Sequence, residues 1–225
     1  MKKKFLAICA VLALTAGLTF AATITQTQTF SGIPNMNGSL TFNQFDSSLG
    51  TLTSIQVRLS LQTSGGRLIL DNDSASSASG TFEFGANGSI GSTDVSLMDT
   101  SLQPITDLTE AFYSQAFSLD ANVDDVSGDY DPASPDGLQY DGGIVSDTAS
   151  GLVDSTVWGG YTGTGTYNIN YNITQWLDYG GISGIECAIT PVSASGDVTV
   201  IYTYIPEPAT MLLLAIGAVA ILRKK

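Results

Sequence analysis

Short runs in which apolar and polar residues alternate recur between residues 22 and 205, and they restrict the chain to one class of fold. Residues 167–173 alternate tyrosine or isoleucine with asparagine, and residues 55–61 alternate aliphatic with polar side chains. A period of two residues is typical of half-buried β-strands. Because glycine, serine, asparagine and aspartate separate the runs, we expect an all-β domain, a β-sandwich of jelly-roll type.

The same patterns predict the individual strands. They are expected at residues 23–30, 40–43, 50–62, 67–70, 81–84, 93–97, 166–173, 184–189 and 197–205. Leu52 is out of phase with residues 55–61, which predicts a bulge or bend near Ser54. Residues 107–117 and 174–179 are predicted to form at most short helical turns.

The charge of the segment between residues 22 and 205 is strongly negative. Of the 8 basic residues in the chain, six lie in residues 2–4 and 223–225, which leaves Arg58 and Arg67. Of the 21 acidic residues, only Glu207 lies outside the segment, so two basic and 20 acidic residues give it a formal charge of −18. Phosphate backbones are repelled by such a charge, and we expect no nucleic acid partner.

The first 21 residues have the composition of a secretory signal peptide. Three lysines precede an apolar run that ends at Phe20, and small residues lie around Ala21. This order predicts cleavage by signal peptidase after Ala21 and an exported domain that covers residues 22–205.

A second apolar run, residues 209–222, carries no charge and is followed by Arg223, Lys224 and Lys225. As a helix it would be about 21 Å long, somewhat short of the roughly 30 Å of membrane hydrocarbon. We expect a transmembrane helix of marginal length. The three basic residues fix its orientation, because cationic side chains stay on the cytoplasmic side, and the preceding domain then lies outside the cytoplasm.

The tripeptide Pro206, Glu207 and Pro208 comes directly before this run, and its two prolines keep the backbone extended and accessible. The motif, the apolar helix and the basic end together resemble the PEP-CTERM sorting signal of Gram-negative bacteria, which the membrane-embedded peptidase exosortase recognises. The resemblance implies that residues 206–225 are a sorting domain and that the protein is first anchored in the membrane. Processing then leaves it at the cell surface or outside the cell, in association with exopolysaccharide and biofilm.

Residues 45–52 have the sequence Phe-Asp-Ser-Ser-Leu-Gly-Thr-Leu, in which we expect Asp46 to cap a turn and Gly50 to relax the backbone. We expect Leu49 and Leu52 to pack under the strand that follows. The sequence resembles the Phe-Asp-x-x-Leu-Gly-x-Leu hallmark of choice-of-anchor E domains. Two later segments are also similar to that family, residues 161–166 and 198–204. The resemblance implies a bacterial surface domain and assigns no catalytic residues.

The chain contains no histidine. Catalytic triads of the Ser-His-Asp type, Cys-His pairs and imidazole zinc sites are therefore excluded. Paired carboxylates could still hydrolyse a glycoside, but no spacing selects a pair. We expect no enzyme activity and keep glycoside hydrolysis as the less favoured alternative.

Aspartates are concentrated in one loop that also contains glycine and proline. They are Asp124, Asp125, Asp129, Asp131, Asp136 and Asp141. Calcium prefers several carboxylate and carbonyl oxygens from one flexible segment, which makes Asp129, Asp131 and Asp136 candidate calcium ligands. A solvated acidic loop is the alternative. Residues 71–73 form a second, weaker candidate.

Aromatic residues suggest a further function, because aromatic rings stack on sugar rings. Trp158 and Trp176 are the candidate stacking residues, with Tyr161 and Tyr179 nearby in sequence. This makes a carbohydrate-binding module the alternative function, although aromatic residues also fill cores. The threonines of residues 23–29 suggest either an ordered surface such as ice as a ligand or, more simply, a soluble edge strand.

Overall fold

A computed structural model describes residues 20–105, 109–123 and 130–207, and it confirms the all-β prediction. The strands are β1 (Ala22–Gly32), β2 (Met36–Asn43), β3 (Gly50–Ser64), β4 (Arg67–Asn72), β5 (Ala78–Gly91), β6 (Thr109–Leu119), β7 (Gly137–Asp141), β8 (Ile144–Leu152), β9 (Thr166–Asp178), β10 (Ile185–Thr190) and β11 (Ser193–Pro206). Two 3-10 turns accompany them, Ser47–Leu49 and Ser155–Tyr161. No helix within the described ranges is long and apolar enough to cross a membrane. The predicted signal peptide up to residue 19 and the predicted helix at residues 209–222 lie outside those ranges.

The strands form two open four-stranded sheets, ordered β1-β11-β3-β8 and β2-β9-β5-β6, and a three-stranded sheet ordered β10-β4-β7. The pairs β1 with β11, β2 with β9, β3 with β8 and β5 with β6 are all antiparallel. This is the pairing of a long two-stranded ribbon that wraps into a jelly roll. It is consistent with the predicted β-sandwich. Strands β4, β7 and β10 come from the connections of the ribbon.

The core lies between the two four-stranded sheets, where the alternating residues meet. On β3, the predicted inner residues from Ile55 to Leu61 are at most 1% exposed, while Gln56 and Ser60 between them keep partial exposure. On β9, Tyr167, Ile169 and Ile173 are buried in the same cluster. Burial of aliphatic side chains stabilises the fold by about 1.5–3 kcal/mol for each residue.

A hydrogen-bonded pair of tyrosines joins the two sheets inside the core. The hydroxyl oxygens of Tyr167 on β9 and Tyr202 on β11 are 2.7 Å apart, and the Tyr202 hydroxyl donates to the Asn43 carbonyl at 3.1 Å. The Tyr161 ring packs edge-on against Tyr167, with centroids 5.1 Å apart. Burial raises the pKa of Tyr202 to about 12 and holds the pKa values of Tyr161 and Tyr167 above their ordinary range.

Side chains bridge the open edges of the sandwich. At one edge the Gln26 amide of β1 donates to the Asn43 carbonyl of β2 at 2.9 Å, and its oxygen accepts the Asn43 N–H at 2.8 Å. At the other edge the Asp147 carboxylate of β8 accepts the Glu110 N–H of β6 at 2.8 Å. These bonds satisfy backbone groups that an open edge would expose for pairing with other chains.

The bulge predicted near Ser54 is confirmed. Thr203 of β11 pairs with Ser54 and Tyr204 pairs with Leu52, so Thr53 is the extra residue on β3. The extra residue explains why Leu52 is out of phase with the inner face that follows.

Three local predictions are wrong. Residues 93–97 do not form a strand, because the Ser92 hydroxyl accepts the N–H groups of Asp94 and Val95 at 3.1 Å and turns the chain. The two segments predicted as helical turns are strands where the structure describes them. From Thr109 onward, residues 107–117 belong to β6, and residues 174–178 belong to β9. Both pair with β5, and this long-range pairing overrides their weak local pattern.

We predict that alkaline pH destabilises this core. The pKa of Tyr202 rises from an ordinary 10.0 to about 12 on folding, so the unfolded state loses the proton first and stability falls as the pH rises through this interval. Urea unfolding at increasing pH should show the decline. Tyr202→Phe should make it shallower by up to about 1.4 kcal/mol per pH unit.

Tyr130→Phe is the control for this experiment, because the Tyr130 side chain is 38% exposed. Tyr202→Phe should reduce the decline more than Tyr130→Phe does. A wild-type decline that Tyr202→Phe does not reduce would contradict the assignment to Tyr202.

Candidate sorting site

The first two residues of the Pro-Glu-Pro motif are attached to the sandwich. Pro206 is the last residue of β11, is buried, and lies opposite Gly50 of β3. The Glu207 N–H donates to the Leu49 carbonyl at 3.3 Å. The expectation of a freely accessible peptide is therefore wrong at Pro206. Pro208 and the basic residues Arg223, Lys224 and Lys225 lie outside the described residues.

Gly50 allows this close contact. Its φ of 149° belongs to a region that residues with a side chain rarely adopt. A Cβ atom at Gly50 would collide with the Ile205 carbonyl and would lie 2.8 Å from the Pro206 Cα. The absence of a side chain therefore lets the end of β11 lie directly against β3.

The rest of the segment 45–52 supports the same end of the sandwich. The Phe45 ring is buried and packs against the rings of Tyr204 and Tyr202, at centroid distances of 5.2 and 5.8 Å. Asp46 accepts the Ser48 N–H at 2.9 Å and caps the 3-10 turn, as predicted, and this bond lowers the pKa of the Asp46 carboxyl.

Both ends of the described sandwich lie next to each other in this region. β1 begins at Ala22, whose Cα partner on β11 is Tyr204. Strand β1 runs antiparallel to β11, so the predicted signal-peptidase site after Ala21 and the sorting motif extend from the same end of one sheet.

The acidic loop uses its carboxylates for internal hydrogen bonds. Asp131 accepts the Ala133 N–H at 2.9 Å, and Asp136 accepts the Val123 N–H at 2.9 Å and the Ser134 hydroxyl. The bond from Ser134, supported by that from Val123, lowers the pKa of the Asp136 carboxyl. Asp129 lies outside the described residues, so the proposed calcium set of three is not seen together.

The loop also docks on the end of β4, where the weaker calcium candidate lies. The Asp131 N–H donates to Asp71 at 3.3 Å, and the Asn72 N–H donates to the Asp136 carbonyl at 3.1 Å. Across residues 20–105, 109–123 and 130–207, no group of three or more Asp, Glu, His or Cys side chains is placed to hold a metal ion. Calcium binding stays a prediction.

The two tryptophans lie apart. Trp158, in the turn that precedes β9, donates from its indole nitrogen to the Val153 carbonyl at 3.1 Å. Trp176 lies ten residues beyond Thr166, the first residue of β9, about 33 Å along the strand. Tyr161 is fully buried in the core. A single platform that includes Trp158, Tyr161 and Trp176 is therefore not formed.

Trp176 instead pairs with a ring that the sequence did not indicate. Trp176 on β9 and Phe112 on β6 both lie opposite Gly85 of β5, and their rings stack over it at a centroid distance of 6.1 Å. The indole nitrogen donates to the Glu83 carboxylate at 2.9 Å, which fixes its orientation. Both rings remain partly exposed on the outer face of the sheet.

A comparison with protein families identifies the end of the chain. Residues 205–225 match the PEP-CTERM protein-sorting motif. The motif implies export, sorting to the cell envelope and processing by exosortase. It covers none of the sandwich before Ile205. No homologue supports the resemblance of the domain to choice-of-anchor E proteins, and no curated protein matches the chain.

Solved structures give weak similarities. The STIV MCP crystal structure has a TM-score of 0.30 at 13% identity, over 87% of this chain and 51% of the other. The infectious bursal disease virus VP2 subviral particle has a TM-score of 0.18 at 9% identity, over 81% of this chain and 38% of the other. Desmodium yellow mottle tymovirus has a TM-score of 0.20 at 9% identity, over 85% of this chain and 90% of the other. The chain spans about half or less of the first two, and at these TM-scores the similarities define neither fold nor function.

We predict that Asp136 stabilises the loop more than Asp131 does. Asp136 is fully buried and accepts two hydrogen bonds, whereas Asp131 caps a partly exposed turn. Asp136→Asn should therefore lower the urea midpoint of unfolding more than Asp131→Asn, in buffer with a chelator.

The same pair of variants tests calcium. If calcium raises the thermal midpoint of the wild type and Asp131→Asn removes the increase, Asp131 is a calcium ligand. If calcium leaves all midpoints unchanged, the calcium prediction is wrong and the loop is held by its own hydrogen bonds.

Proposed function

We propose that this chain is an exported, non-catalytic protein of a Gram-negative cell envelope that exosortase processes at its Pro-Glu-Pro motif. Signal peptidase removes residues 1–21, and residues 209–222 hold the precursor in the membrane with the basic end on the cytoplasmic side. Exosortase then separates the domain from its anchor. The domain reaches the cell surface or the extracellular matrix, where it associates with exopolysaccharide.

The observation that carries this proposal is the position of the sorting motif. The Pro-Glu-Pro tripeptide begins at Pro206, the last residue of β11, so the described sandwich leads directly into the sorting signal. The placement of Ala22 beside Tyr204 supports it, because both processing sites then extend from one end of the domain. The absence of histidine from the chain supports a role without catalysis.

Intact mass of the mature protein from cells tests this proposal. The wild type should yield a product that starts at Ala22 and ends near Pro206, and Glu207→Ala should retain the C-terminal residues because the recognised carboxylate is gone. A product that still ends at Lys225 in both proteins would contradict exosortase processing and leave a membrane-anchored protein.

A second candidate function, binding of a neutral glycan, is supported by the Trp176–Phe112 stack. Sugar rings pack their apolar faces on aromatic rings, and an indole that is held by Glu83 needs little further ordering to bind. The stack lies on the outer face of the β2-β9-β5-β6 sheet, where a chain-like ligand can approach from solvent.

The same face continues into a shallow trough of about 650 Å³ on strands β2, β9 and β5. Asparagines and serines line most of it, together with Ile90, Tyr171 and two glycines; the asparagines and serines are Asn37, Ser39, Ser89, Asn170 and Asn172. None of the lining residues is charged, although the domain as a whole is strongly acidic. Amides and hydroxyls without charge suit the hydroxyl groups of a neutral polysaccharide.

We predict that Trp176→Ala weakens the affinity of the domain for its neutral polysaccharide by about tenfold, because the stacking surface is lost. Trp158→Ala should leave affinity unchanged, because Trp158 lies near the opposite end of β9. Affinity electrophoresis in gels that contain the host exopolysaccharide measures both. Equal mobility shifts for wild type and Trp176→Ala would exclude this face as the binding site.

A further inference from the structure

Two sequence motifs that lie far apart in the chain meet at one end of the sandwich. One is the Phe-Asp-x-x-Leu-Gly-x-Leu segment at residues 45–52, which we call the clasp, and the other is the start of the sorting motif. We propose that the clasp holds Pro206 and Glu207 against the domain and thereby restricts access of the processing peptidase. This inference rests on the proposed exosortase processing.

Each part of the clasp has a defined contact with the end of β11. Phe45 packs on Tyr204, and the turn capped by Asp46 presents the Leu49 carbonyl, which accepts the Glu207 N–H at 3.3 Å. Gly50 lies opposite Pro206, which is buried. The clasp therefore binds the two residues of the motif that the structure describes.

This arrangement conflicts with what a peptidase requires. Proteolysis takes place at segments that are exposed and free of regular pairing, and peptide ligands are commonly bound as extended strands through their backbone. In the folded domain, Ile205 and Pro206 are already paired with Thr51 and Gly50. Their backbone must leave β3 before a peptidase groove can hold them.

The required opening is small. On the β1 side, the pairing of β11 stops at Tyr204, whose partner is Ala22. Ile205 and Pro206 are thus paired on the β3 side alone, and they can detach while the rest of β11 stays in the sheet. When local opening is faster than cutting, the rate of proteolysis follows the population of the open state. The strength of the clasp then sets the rate of processing.

Gly50→Ala tests the clasp by loosening it. The added Cβ would collide with the Ile205 carbonyl and force the end of β11 away from β3. In cells that contain the exosortase, pulse-chase labelling with intact-mass detection should show the full-length precursor disappearing about tenfold faster, the factor that corresponds to about 1.4 kcal/mol. Gly143→Ala is the matched control, because a Cβ there meets nothing within 4 Å, and its precursor should decay as the wild type does.

A disulfide staple tests the clasp in the opposite direction. Thr51 and Ile205 are direct Cα partners with exposed side chains, so Thr51→Cys combined with Ile205→Cys can form a bridge across β3 and β11. Oxidised, the double variant should keep its C-terminal residues. Reduction should restore processing, and each single cysteine variant should be processed as the wild type is. This arm does not depend on whether Gly50→Ala folds fully.

The outcomes separate this inference from the proposed function. If the wild type is never shortened, exosortase processing fails and the clasp has no role in it. If the wild type is shortened but Gly50→Ala and the oxidised staple are processed at the wild-type rate, the clasp is overturned while processing stands. Slower processing of Gly50→Ala would also overturn it, because the clasp would then present the motif rather than protect it.

Discussion

The sandwich depends on the pairing of β11 with both β1 and β3. This strand is the last of those in the described residues, yet it lies inside its sheet, and Val198, Val200 and Tyr202 are fully buried. The pairing with the first described strand joins the residues that lie farthest apart in the sandwich, so it carries the largest loop-closure entropy cost. The sheet is therefore complete only when the chain up to the sorting motif is available.

Burial and hydrogen bonds stabilise this fold more than charge does. Two ion pairs occur among the described residues, Arg58 with Asp197 at 3.8 Å and Arg67 with Asp141 at 2.7 Å. Their side chains are between 27% and 61% exposed, and exposed pairs contribute at most about 1 kcal/mol each. The bond between Tyr167 and Tyr202 instead lies in the core and joins the two sheets, where an unpaired hydroxyl would be costly.

The strand that completes the sheet also carries the start of the sorting motif. Fold and processing signal are thus continuous at Pro206, with no linker between them. The segment 45–52 has a structural role that its sequence already indicated, since Asp46 caps the turn as expected. Its contact with Glu207 gives this turn a second role, because it holds the residue on which sorting is proposed to depend.

The sequence by itself determined the features that depend on neighbours in the chain. Alternation in residues 55–61 and 167–173 defines the inner faces of β3 and β9, and the phase of Leu52 locates the bulge. The sorting signal is recognisable in the same way, because its three parts, the Pro-Glu-Pro tripeptide, the apolar run and the basic end, follow one another directly in the chain.

The tertiary structure decided what depends on pairing between distant residues. Residues 109–117 and 174–178 have weak local patterns and become strands because β5 supplies hydrogen-bond partners on both sides. The stack of Trp176 with Phe112 exists because both lie opposite Gly85, and no spacing in the sequence reveals that register. The meeting of Leu49 with Glu207 likewise follows from the pairing of β3 with β11, which is why the sequence identified the two motifs but not their contact.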